Sequence, residues 1–183
     1  MKRIKYDNKG LSLIELLVAI TISILIVGVV LLLTGTSIFQ YKNINVDTNL
    51  QNEAQITSNQ VRDLLMEANR GVSWSEDTDD NVLSFYYVEN EKQMVGVINY
   101  TKNTNELKYK LYEYGDDPND SKEYLLSSIV NKFTCDVSEV DDGELLTYNI
   151  RYFIDDEEWS DNNKFSFRNT VELVDSAEAI FGE

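Results

Sequence analysis

From Leu11 to Leu33 the chain runs for 23 residues with one charge, Glu15. At 1.5 Å per residue, a helix of that length extends ~35 Å, enough to cross a ~30 Å hydrocarbon core. Beyond it the pattern thins. Phe39, Ile44, Leu50, Ala54, Val61, Leu64, Leu65 and Ala68 recur near helical spacing, while Tyr41 to Gln60 is rich in Asn, Gln and Thr. This predicts a helix that continues with little to pack against and then gains an apolar stripe that a sheet can cover. No proline precedes Pro118; Gly71 and the acidic, turn-rich stretch Ser73 to Asn81 are the expected stop. A helix from Leu11 to about Asn69 would measure ~90 Å.

From Val82 the period becomes two, the repeat of a strand with one buried face. Leu146, Tyr148, Ile150, Tyr152 and Ile154 alternate with Thr147, Asn149, Arg151, Phe153 and Asp155. Leu107, Tyr109 and Leu111 alternate with Lys108 and Lys110, and Phe165, Phe167, Val171 and Leu173 share one parity. Val82 to Val88, Gln93 to Thr101 and Lys132 to Val137 are further strand candidates between acidic or Asn-rich turns. Tyr124 to Val130 fits a strand or a short helix. Five to seven strands after one helix predict an α+β fold: a long N-terminal α-helix, transmembrane in its N-terminal half, packed on a C-terminal antiparallel β-sheet.

Composition narrows the chemistry. The 183 residues carry 16 basic and 32 acidic side chains, a net charge of −16, and no histidine. Residues 36–183 alone hold 12 basic against 30 acidic groups, which disfavours direct nucleic-acid contact. Without histidine there is no His-based hydrolase, no HExxH zinc site and no imidazole ligand. One cysteine, Cys135, excludes an internal disulfide; its alternation with Phe133 and Val137 places it in the core. The eight glycines fit no phosphate-binding loop. We read the chain as no enzyme, with no catalytic residue, metal site or cofactor.

The distribution of charge gives topology. Lys2, Arg3, Lys5 and Lys9 precede the apolar span with Asp7 as the sole acid, which predicts a cytoplasmic N-terminus and a single pass. The span is too long for an ordinary secretory signal.

The junction Asn8-Lys9-Gly10-Leu11-Ser12-Leu13-Ile14-Glu15 resembles the class III signal of type IV prepilins and type II secretion pseudopilins. The match lies in a short basic leader ending in Gly10, an apolar Leu11, and a glutamate four residues on inside an apolar helix. It covers about 30 residues strongly and the rest in outline, and it departs where many members have Phe in place of Leu11. The resemblance implies that a prepilin peptidase cuts between Gly10 and Leu11 and N-methylates Leu11. It also implies that Glu15 pairs with a neighbouring subunit's N-terminus and sets axial register. An acidic side chain at mid-membrane costs about 2.5–3.5 kcal/mol on insertion scales, so Glu15 needs a partner. The expected organisation is a leader at 1–10, a transmembrane and filament-core helix at 11–37, its extracytoplasmic continuation at 38–72, and a β-rich head at 73–183.

The expected role is therefore a structural subunit of a type IV pilus or related secretion filament. The faint resemblance of Arg168 to Leu173 to the larger minor pseudopilins of the W and J classes favours a minor subunit. Its partners would be the prepilin peptidase, other pilin or pseudopilin subunits and the membrane. The alternatives are a tip adhesin-like binding subunit and a competence pseudopilin for DNA uptake. Trp74 and Trp159, both in acidic surroundings expected to be loops, are candidate anchors for a partner. The acidic clusters at 77–80, 116–120, 141–142 and 155–158 invite a calcium reading, but no EF-hand spacing fits them and they read as solvated turns.

Overall fold

A computed structural model of the chain describes residues 12–140, 145–155 and 157–182. Residues up to Asn45 form one compact unit and those from Val46 onward a second. Helix α1, Leu13–Met66, contributes to both.

In the first unit every described side chain is exposed, and the large apolar ones from Leu13 to Leu33 cover all sides of the helix. Such a surface is stable in lipid or against sister helices, not in water. This is one helix long and apolar enough to cross a membrane.

The second unit is the α+β body. In it α1 buries Leu50, Ala54, Thr57, Ser58, Val61 and Leu65, one stripe at helical spacing. The chain then forms β1 Gly71–Glu76, β2 Asp80–Glu89, β3 Lys92–Thr101, β4 Glu106–Glu113 and β5 Glu123–Ser127. These lie in the order β5-β4-β3-β2-β1, all antiparallel, with β9, Glu172–Leu173, added parallel to β1. A second, antiparallel sheet of three strands comprises β6 Val130–Asp136, β7 Leu145–Ile154 and β8 Glu157–Ser166, with β7 central. The short helix α2, Ala177–Phe181, follows.

One core unites these elements: Leu83, Phe85 and Ile98 of the larger sheet, Tyr148, Ile150 and Tyr152 of the smaller, and Val61 and Leu65 of α1. The sheets are fastened by Asn81, whose buried Nδ2 donates to the Phe133 carbonyl at 2.6 Å, and by a T-shaped contact between the Trp74 and Phe133 rings, 5.5 Å between centres. The opposite face of the larger sheet is also covered. Tyr86, Val95 and Val97 pack there beneath Phe181, with Ala177, Ile180 and Val174 beside them.

Several expectations are corrected. The single antiparallel sheet is two sheets, and the parallel β1–β9 pair makes the larger one mixed. The expected turn at 73–81 is mostly strand: β1 occupies Gly71–Glu76, so Trp74 lies in a strand and half-buried. Its polar residues are tolerated because the chain pairs in full register with β2 from Gly71↔Tyr86 to Glu76↔Asn81. Trp159 is likewise in a strand, β8. The strand read from Phe165 to Leu173 ends at Ser166, runs back to Glu157 instead, and leaves Leu173 in the short β9, 38% exposed. The open segment Tyr124 to Val130 holds most of β5 and, past Ser128 and Ile129, the start of β6.

Candidate functional site

Gly10 and Leu11, the expected cleavage and methylation residues, lie outside the described residues. Glu15 is described, and its partner is one that sequence reasoning missed. Ser12 is the residue before the helix; its backbone N–H and its Oγ–H both donate to Glu15 Oε2, each at 3.1 Å. In return the Glu15 N–H donates to Ser12 Oγ at 3.3 Å. This is a capping box, in which side chains at the cap and third helical positions satisfy each other's orphan N–H groups. The signal was present as Ser12-Leu13-Ile14-Glu15, an S-x-x-E ahead of an apolar run. The structure thus gives Glu15 a local helix-starting role, and its second oxygen takes no part in these contacts.

The span that follows satisfies its own polar groups. Thr21 and Ser23 hydroxyls donate to the carbonyls of Leu17 and Ala19, each at 2.8 Å. Thr34 donates to Val30 at 2.8 Å and Ser37 to Leu33 at 2.7 Å. A hydroxyl in hydrocarbon has no water to bond, so returning it to the carbonyl one turn earlier removes that cost.

In the second unit two of the acidic clusters, at 77–79 and 116–120, lie in hydrogen-bonded turns, whereas Glu157 and Glu158 of the last cluster lie in strand β8, with Glu158 3.0 Å from Arg151. Asp77 Oδ1 accepts the Thr78 N–H at 2.7 Å, and the Asp77 carbonyl accepts the Lys102 ammonium. Asp117 Oδ1 accepts the Asn119 N–H at 2.9 Å. Asp141 and Asp142 lie outside the described residues. Cys135 is a free thiol that packs partly buried against the main core, as its alternation predicted; burial, with the Asp136 carboxylate as a lesser cause, raises its pKa and disfavours the thiolate. Trp159 is exposed at the end of a polar cleft between α1 and β8, lined also by Gln55, Asn59 and Asn163.

No family model, curated protein or solved structure matches the chain. What carries the pilin resemblance is therefore the junction sequence, together with a long helix that is apolar at its start and packed on β-sheet further along.

Proposed function

We propose that the protein is a structural subunit, of minor-pilin or pseudopilin type, of a type IV pilus or related secretion filament. A prepilin peptidase cuts its leader after Gly10 and methylates Leu11, and the subunit joins others by helix packing. The observation that supports this reading is the helix from Leu13 to Leu33: exposed and apolar on every side, with its hydroxyls bonded internally. Such a surface is at home first in lipid and then among like helices, where close side-chain packing replaces lipid contact. Glu15 fits both settings. Within one chain it closes the capping box through Oε2, and in an assembly its other oxygen would meet a neighbour's terminal amine.

Intact-mass measurement on protein from the native host tests the proposal. A mature chain beginning at N-methyl-Leu11 is expected; assembled filaments whose subunits retain Met1 to Gly10 would overturn it.

A further inference from the structure

The cleft between α1 and β8 departs from the pattern of the rest of the core. Opposed residues of neighbouring strands share a face, and the partners of Tyr148 and Ile150 are Asn163 and Asp161. Between Trp159 and Phe165 the inner face of β8 is thus polar where that of β7 is apolar. Along α1, Gln51, Gln55, Asn59 and Arg62 stand four, four and three residues apart, on one face, and line the same cleft. Two polar stripes from separate elements therefore confront each other across a space of about 350 Å³, within the size of small-molecule sites.

The cleft is held in shape from below. Ser58, buried, donates to the Asp161 carboxylate and accepts from Asn163 Nδ2 at 3.2 Å. The Tyr148 hydroxyl donates to the Ser58 carbonyl at 3.3 Å and fixes that turn of the helix. Asp161 Oδ1 and the Asn163 amide oxygen remain for a ligand. In formal charge Arg62 and Asp161 cancel, which is notable in a chain of net −16. The lining is thus neutral, rich in planar amides that both donate and accept, and bordered by the exposed ring of Trp159.

We propose that this cleft binds a neutral carbohydrate, one sugar ring lying on Trp159 and its hydroxyls bonded by Gln55, Asn59, Asp161 and Asn163. A sugar presents an apolar C–H face and a rim of hydroxyls that donate and accept at once, the complement of an aromatic platform beside amides and a carboxylate. A phosphorylated ligand is opposed by the net charge of the chain, and an apolar one would leave the amides unpaired. The assignment is independent of the filament role.

The test titrates the full chain, held in a zwitterionic detergent free of sugar headgroups, with maltotriose, cellotriose and tri-N-acetylchitotriose. Binding is followed by tryptophan fluorescence and calorimetry. Saturable binding of at least one trisaccharide is expected, and Trp159→Ala and Asn59→Ala, both at exposed positions, should each weaken it about tenfold or more with unchanged circular dichroism. No saturable binding of any of the three overturns the assignment. So does binding that both variants leave intact, which would place the sugar elsewhere.

Discussion

Glu15 carries two demands that different substitutions separate. A capping box accepts Gln as well as Glu at its third position, whereas pairing with an amine needs the charge. Glu15→Gln should keep the helix start and membrane level of the protein yet lower its recovery in sheared filaments. Glu15→Ala should lower that recovery too and also lose the reciprocal cap, with the membrane level unchanged. Wild-type recovery of Glu15→Gln would show that the cap is the whole of its role. Gly96 in β3 faces another local constraint. It sits opposite Phe85 in the β2–β3 ladder, and a Cβ there would fall 2.0 Å from the ring's Cζ. Phe85 is fully buried and has nowhere to swing. Gly96→Ala should destabilise the second unit by about 1–3 kcal/mol in urea unfolding, and adding Phe85→Leu should recover part of that loss. The glycine was visible in the sequence, but the ring across the ladder that requires it was not.

At the level of elements, the apolar run of α1 is a surface for a non-aqueous neighbour, and one charge in its middle tests this. Ile24→Lys should impede membrane insertion by about 2.5–3.5 kcal/mol, read as a shift of the protein into the carbonate-extractable fraction. How far each element was legible follows from what its two faces meet. β7 alternates openly because its inner face lies on the apolar core and its outer face is more open, and β4 and β6 were found by the same means; β2 and β3, covered on both faces, read instead as short apolar runs between turns. β8 was missed over most of its length because Asp161 and Asn163 face inward against polar residues of α1, so no hydrophobic period exists to detect. β1 was hidden by its Ser and Glu residues, and its place rests on pairing with β2, a long-range fact. The Ser12–Glu15 box was fully legible as a motif; the attraction of a distant partner for Glu15 obscured the nearby one.

For the body as a whole, the buried tyrosines dictate how it meets alkali. Tyr148 is pushed up to about 12 from an ordinary 10.0, chiefly by burial, and Tyr152 is pushed up further for the same reason. Their phenols lose protons more readily in the unfolded chain, so their contribution is complete below about pH 10 and falls as pH rises toward 12 and beyond. The melting temperature should therefore decline above pH 10, with the tyrosinate absorbance of the buried rings appearing only as the fold is lost. A flat melting temperature across that range would contradict the packing of both rings. The same body also has an order of construction. β9 docks on β1 through Gly71↔Glu172 and Val72↔Leu173, with the Val174 N–H donating to the Val72 carbonyl at 3.0 Å. The first of the described strands to leave the ribosome thus waits for the last of them. Throughout that interval its outer edge lies open to any other nascent strand, and pairing across so wide a sequence gap is intrinsically slow. Crowded, half-made copies are accordingly most exposed to strand exchange at this edge, and arrival of the tail closes the window.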